Sequence, residues 1–329
     1  MKKHDSDLWS FNTRDLMRSS ACKHCSALAI AREHDIAGVR ELVEEYYVKP
    51  DGLALTYGMV FEEALEQELL EQLGPKDFRR PEDGNEFDGT VALMREQVPV
   101  IFQGYLRHQV GTLQFNGKPD FLVRGDYRLE FVAGKLTGKK SSSGEKDKYV
   151  AWDAKLSSTA KPNHLLQIAL YADALSALGM KSNGEPGLIL GSRVLETFEE
   201  SEIVPAMQLA RKELAQAIKA FDTGIVLSDL TLYCDTKDSC KVCEYPALCE
   251  QARFDVDHLV QVAGINRSQI EKLSEGGIVT MAGLAKAKDS DRPADILVHT
   301  FEKIRQQAKL QTDYKKSQEH SYIILPDPE

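Results

Sequence analysis

The run Tyr149-Val-Ala-Trp-Asp-Ala-Lys-Leu156, an apolar segment that carries an acid and a lysine two residues apart, limits most what this chain can be. A strand repeats every two residues, so Asp153 and Lys155 lie on one face and Val150, Trp152 and Ala154 on the other. Charges built into so apolar a strand must be paired or put to use. The tripeptide Asp-x-Lys alone says little, because it recurs at Asp235/Lys237 and Asp313/Lys315. Its surroundings set this one apart. Asp120 heads a second apolar strand in GKPDFLVR, and Gln167 and Tyr171 follow at a spacing of four that places both on one helix face.

Two carboxylates from neighbouring strands can hold Mg²⁺ or Mn²⁺, hard cations that take oxygen ligands and retain water. Such an ion lowers the pKa of bound water and neutralises charge growing on phosphate oxygens. Lys155 would then position the attacking water and stabilise the pentacoordinate state. The chemistry indicated is metal-assisted phosphodiester hydrolysis. The competing reading is a structural ion pair.

Hydrophobic periodicity places these residues in an α/β frame. Positions 12–33 read as one helix and 55–73 as a second, stopped by Gly74-Pro75. From Val98 the pattern turns to strands over 98–103, 104–115, 119–124 and 149–156. The lysine-rich stretch 135–148 reads as an exposed hairpin loop. Lys161-Pro162 opens a long helix, a strand follows at 187–192, and a further helix spans 203–222. Strand signals end near residue 235, and 255–312 read as a small helical domain. The order implies a mixed sheet flanked by helices, plus a small all-α C-terminal domain.

Net charge is −10, which taken alone argues against a nucleic-acid partner. The charge is uneven. Residues 41–90 hold 14 acidic against 4 basic residues, an excess equal to that of the whole chain, while 118–164 hold 10 basic against 6 acidic. A local positive groove can still bind a polyanion. No apolar run approaches the ~20 residues of a membrane helix, and the start MKKHDSDLWS has no apolar stretch of a secretory signal. The expectation is a cytoplasmic protein without a membrane partner.

The segments GKPDF, WDAKLSSTAKP and QIALY resemble the three nuclease motifs of RecB-like PD-(D/E)XK nucleases. That resemblance implies a restriction-endonuclease-like mixed sheet and a divalent-metal site. It makes Glu62, Asp120 and Asp153 metal ligands and Lys155 catalytic, with Gln167 and Tyr171 supporting the site or touching DNA. Glu62 matches through Gly58-Met-Val-Phe-Glu62, where the family often has His after the same Gly-x-x-x spacing. Lys161, at the start of the following helix, is a candidate DNA contact.

Cysteines fall at 22, 25, 234, 240, 243 and 249. In a reducing compartment clustered cysteines point to metal. One cysteine from 22–25 with Cys240, Cys243 and Cys249 would give four thiolates for an Fe–S cluster. Cys22-x2-Cys25 with Cys240-x2-Cys243 is also a four-cysteine zinc pattern. The arrangement resembles the iron-staple nucleases, among them AddB and the CRISPR-associated nucleases of spacer acquisition. There a [4Fe–4S] cluster ties the two ends of the chain around the nuclease core. CKHCSALAIA resembles the Cys-x-His-x3-Leu stretch of that group, which selects Cys22 and leaves Cys25 spare. Cys234 has no assigned role.

HLVQVAGINRSQIEKLSEGGIVTMAGLAKA resembles a helix-hairpin-helix element, whose helix N-terminal amides hold phosphate without reading sequence. Gly264, Asn266 and Arg267 would be its contacts. The expected organisation is therefore a nuclease domain over 1–250 closed by the cluster and a helix-hairpin-helix-like domain over 251–315. Residues 316–329 would be a tail or the start of a following domain. The expected function is a Mg²⁺/Mn²⁺-dependent DNA nuclease, an exonuclease on single-stranded or end-bearing DNA in repair, recombination or defence. The alternative is a non-catalytic DNA-binding scaffold of a larger helicase–nuclease protein. A helicase or ribonuclease-H-like portion is the expected partner.

Overall fold

The computed structural model describes residues 1–4, 7–48, 52–234, 240 and 243–322. The chain divides into two compact units, Met1–Glu41 with Lys49–Leu227 and Leu42–Val48 with Ser228–Glu329.

The strands of the first unit are β1 (Lys2–Lys3), β2 (Trp9–Phe11), β3 (Phe78–Arg79), β4 (Val100–Phe102), β5 (Leu106–Val110), β6 (Leu113–Gly117), β7 (Phe121–Arg124), β8 (Tyr127–Val132), β9 (Lys135–Lys140), β10 (Tyr149–Lys155), β11 (Gly187–Leu190) and β12 (Leu195–Thr197). The helices up to residue 220 are α1 (Thr13–Ala21), α2 (Lys23–Glu33), α3 (Val39–Glu45), α4 (Gly52–Asp77), α5 (Glu86–Arg95), α6 (Pro162–Ala177) and α7 (Glu200–Ala220).

The central sheet runs β12-β11-β10-β7-β4-β3 and is mixed. β10 lies parallel to β11 and antiparallel to β7, with Trp152 opposite Phe121 as the last β10–β7 pair. A second sheet runs β1-β2-β6-β5, and β8-β9 form a hairpin.

Strand alternation sorts the apolar residues into two cores. Tyr149, Ala151, Leu122, Ile101, Leu188 and Leu190 pack with residues of α1, α5, α6 and α7. Trp152, Ala154, Phe121, Val123 and Ile189 pack on the other face with Leu65 and Leu69 of α4 and with Leu129 and Leu136 of the hairpin. Asp153 and Lys155 share the face of Tyr149 and Ala151, so their strand is turned toward α6.

Polar clamps fix α4 to the hairpin. Gln72 exchanges two hydrogen bonds with the Gly138 backbone, at 2.8 and 3.1 Å. Glu68 accepts the Leu136 N–H at 2.7 Å and both its oxygens accept from Arg193 Nη1, at 2.8 and 2.7 Å. The Arg193 guanidinium also lies over the rings of Phe61 and Phe131.

The mixed sheet flanked by helices is as expected; β1, β2, α3, α5 and β12 are additional to the expected elements, and several expected ones differ locally. The helix expected over 12–33 is two helices, because Cys22 takes an extended conformation between α1 and α2. The run 104–115 is two strands turned back at Gly111, whose φ of +59° suits glycine. The stretch 135–148 is not all loop. Its first six residues form β9, where Leu136 is fully buried against α4 while the lysines around it face outward. Its partner strand, Tyr127–Val132, does show the period-two alternation Tyr-Arg-Leu-Glu-Phe of a half-buried strand, although it is not among the strands expected from the sequence.

The second unit holds α8 (Pro246–Asp255), α9 (Arg267–Glu275), α10 (Met281–Lys286) and α11 (Val298–Ser317); α9, α10 and α11 close over Leu259, Val262, Leu273, Met281, Leu284 and Phe301. Asn266 opens α9 through a reciprocal capping box with Gln269, and Thr280 caps α10.

Candidate active site

The site forms where β7 and β10 reach the same edge of the central sheet. One register step past the Trp152–Phe121 pair, the antiparallel ladder brings Asp120 opposite Asp153. Asp120 Oδ2 accepts the Ala154 N–H at 2.7 Å, which ties the two strand ends together. Asp120 is 8% exposed and Asp153 only 1%. The Lys155 ammonium closes on Asp153 Oδ2 as an ion pair. That oxygen has no well-directed hydrogen bond besides.

Helix α6 supplies the next layer. Gln167 Nε2 donates to Asp153 Oδ1 at 3.0 Å and to the Tyr171 hydroxyl at 2.8 Å. The Tyr171 hydroxyl in turn donates to the Lys118 carbonyl at 3.0 Å. A glycine at 117 permits this. A Cβ there would stand 2.4 Å from the Phe115 ring and 2.8 Å from the Tyr171 ring. The glycine of Gly117-Lys-Pro-Asp120 therefore lets the tyrosine reach the connection that leads into the acid.

Glu62 arrives from α4, on the opposite side of the sheet, and lies within the field of the same charges. Burial, then Asp153, pushes its carboxyl above the ordinary range, against a smaller opposing pull from Lys155. Burial, then Asp153 and Glu62, pushes Asp120 well above that range. Burial also raises Asp153, but Lys155 opposes that shift. The ammonium so favours charge on Asp153, while Asp120, without such a partner, is the carboxyl pushed furthest toward its protonated form. Lys155 is itself raised: the surrounding carboxylates, Asp153 foremost, outweigh its burial.

The structure thus brings together Glu62, Asp120, Asp153, Lys155, Gln167 and Tyr171. Among the described residues no three His, Cys, Asp or Glu side chains form a ready-made metal site. At these carboxylates the physical reason is plain, since like charges repel and the ammonium covers Asp153 Oδ2. The donor set is nonetheless all oxygen, buried and short of positive charge, which suits a hard divalent ion. On α4 Gly58 shares the helical face of Glu62, and a Cβ there would meet nothing within 4 Å. That face is open beside the carboxylates.

The remaining expected residues lie elsewhere. Lys161 is the exposed N-cap residue of α6. Cys22 and Cys25 belong to the first unit, and Cys234, Cys240, Cys243 and Cys249 to the second. None of the six forms a disulfide. The Tyr245 N–H donates to Cys243 Sγ at 3.4 Å, and Arg253 Nη1 donates to the Cys234 carbonyl at 2.7 Å. Gly264 sits at φ +79° in the turn before α9, Asn266 caps that helix, and Arg267 pairs with Glu271 at 2.9 Å. Of the rival Asp-x-Lys pairs, Asp235 and Lys237 lie outside the described residues. Lys315 contacts Asp257 at 3.1 Å. His164, not singled out by the sequence, lies three residues before Gln167 and seven before Tyr171, a spacing that places all three on one face of α6.

The family model described as "PD-(D/E)XK nuclease superfamily" matches residues 24–250, a span that holds every residue of the carboxylate cluster. The chain belongs to the PD-(D/E)XK nuclease superfamily. Its mixed sheet and flanking helices are those of a restriction-endonuclease-like fold. Members are phosphodiesterases that use divalent metals. No curated protein matches the chain. A solved structure titled "Crystal structure of SSO0001" is similar at 15% identity, covering 77% of this chain and 89% of its own, with a TM-score of 0.31. So loose a likeness does not bear on the site. Among the described residues no helix is long and apolar enough to cross a membrane.

The buried acid makes a prediction for the metal-free nuclease. A carboxyl whose folded pKa is raised makes the folded state bind more protons, so stability falls as pH rises above the ordinary carboxylate range. Asp120→Asn keeps an acceptor for the Ala154 N–H and removes the charge. At pH 8 with divalent ions chelated, Asp120→Asn should melt a few degrees above wild type, and the gap should close as pH falls toward 4. A lower melting temperature than wild type at pH 8 would contradict the assignment.

Proposed function

We propose that the protein is a Mg²⁺- or Mn²⁺-dependent DNA nuclease acting on single-stranded or end-bearing DNA, in exonuclease mode, in repair, recombination or defence. The observation that carries this reading is the set of two buried acids and one half-buried acid served by one lysine, at the edge where two strands meet. Glu62, Asp120 and Asp153 would hold the metal. When bound, the ion supplies acidified water and charge neutralisation at the phosphate.

The chain's own groups do the rest. Ala154 N–H aims the Asp120 carboxylate, and Gln167, held by Tyr171, aims that of Asp153. Lys155, once its partner Asp153 turns to the metal, is an ammonium free to orient the attacking water and stabilise charge on the phosphate oxygens. Lys161 would meet the backbone of the substrate strand. In the second unit Gly264, Asn266 and Arg267 would hold a more distant phosphate at the start of α9. The positive φ of Gly264 and the capped start of that helix support this.

Cleavage of end-labelled DNA with Mn²⁺ or Mg²⁺ tests the reading. Wild type should degrade single strands, and Asp153→Ala and Lys155→Ala should each lose about 10²-fold or more, the scale of removing one group that stabilises developing charge. No cleavage by wild type with any divalent metal would favour the alternative, a DNA-binding scaffold of a larger helicase–nuclease assembly.

The cysteines are read as ligands of a [4Fe–4S] cluster, Cys22 with Cys240, Cys243 and Cys249. Such a link closes more than 200 residues of chain and so restricts the unfolded state. The backbone donor on Cys243 Sγ supports a thiolate there. Anaerobically purified protein should contain about four iron and four sulfide per chain and absorb near ~400 nm. Zinc without iron would overturn the cluster in favour of the Cys22, Cys25, Cys240, Cys243 pattern.

A further inference from the structure

We propose that His164 is a phosphate-positioning residue, its Nε2–H donating to a phosphate that flanks the scissile one on the DNA strand. The inference rests on the nuclease reading and adds a contact that none of the motif residues supplies.

Tyr171, Gln167 and His164 are spaced by four and three along α6, so they form a single row on one helix face. The two inner members are committed. Tyr171 donates to the Lys118 carbonyl and Gln167 donates to Asp153. His164 is the outermost member, half-buried, in the first turn of the helix that follows the Lys155 strand.

Its ring is oriented from behind. Nδ1 accepts the Lys161 N–H at 3.3 Å as part of the helix cap. A nitrogen that accepts carries no proton, so the neutral imidazole bears its hydrogen on Nε2. Among the described residues Nε2 has no hydrogen-bond partner. Burial, then the nearby charges of Lys155 and Lys161, hold the imidazole pKa down at about 4. The ring is therefore neutral at working pH. It can donate to a phosphate oxygen without adding a third positive charge beside two ammonium groups. A polyanion passing the metal site and α6 would meet Lys155, this donor and Lys161 in turn.

Two substitutions separate the donor from the cap. His164→Asn keeps an acceptor in the place of Nδ1 and removes the outer N–H. His164→Gln places an amide N–H near Nε2. In steady-state cleavage of labelled single-stranded DNA, His164→Asn should raise KM about tenfold or more, the loss expected of one hydrogen bond to a charged acceptor. Its kcat should stay within about threefold, and His164→Gln should recover most of the loss. Replacing the flanking phosphates singly by neutral methylphosphonates should raise KM for wild type at one position and leave His164→Asn unmoved there. A wild-type KM in His164→Asn, or a loss confined to kcat, would overturn the assignment. If wild type cleaves nothing with any divalent metal, the nuclease reading fails and this inference falls with it.

Discussion

The architecture depends on an imbalance of charge, three buried or half-buried carboxylates within reach of one ammonium. Asp153 raises the proton affinity of Glu62 and Asp120, Glu62 adds to that of Asp120, and Lys155 pairs with Asp153 alone. A protein keeps so costly a cluster when something else completes it. Without a metal the ion pair on Asp153 meets part of that need, and the raised proton affinity of Asp120 the rest. A divalent cation would replace both at once.

The rest of the first unit can be understood as the apparatus that holds this cluster in place. Register alone brings Asp120 opposite Asp153, because a one-residue slip of β7 against β10 would turn one of them into the apolar core. Helix α4 carries Glu62 from the opposite face. Its position is set several turns away by Gln72 on the Gly138 backbone and by Glu68, shared between Leu136 and Arg193. Helix α6 aims Asp153 through Gln167, and Tyr171 anchors that glutamine because Gly117 leaves room for its ring. Three separate elements therefore converge on one small volume.

Much of this was legible in the sequence, and the reasons are local. Strand alternation in YVAWDAKL fixes the face of Asp153 and Lys155, and helical spacing fixes Gln167 and Tyr171. Glu62 could be singled out only through its motif spacing, since nothing near it in sequence separates it from Glu63 and Glu66. Strand β9 escaped because Leu136 is the one buried apolar side chain in a lysine-rich run, so pattern gave way to tertiary contact with α4. Cys22 looked like the middle of a helix because the chain resumes helical periodicity directly after one extended residue. His164 was hidden among ordinary helix-opening residues, and only the built row on α6 gives it a direction.

The net charge of −10 no longer argues against a polyanionic substrate. Part of the acidic excess lies in α4, whose Glu62 would bind the cation that the substrate needs. DNA binding should accordingly be local, metal-dependent and sensitive to salt. A divalent ion bound at the carboxylate cluster would displace a proton and an ammonium from it. Calorimetric titration with Mn²⁺ at pH 7, repeated in buffers of different ionisation enthalpy, measures that exchange directly. Binding should be accompanied by proton release, and both should be lost in Asp120→Asn. Binding of equal strength in Asp120→Asn, or binding without any proton release, would contradict that exchange.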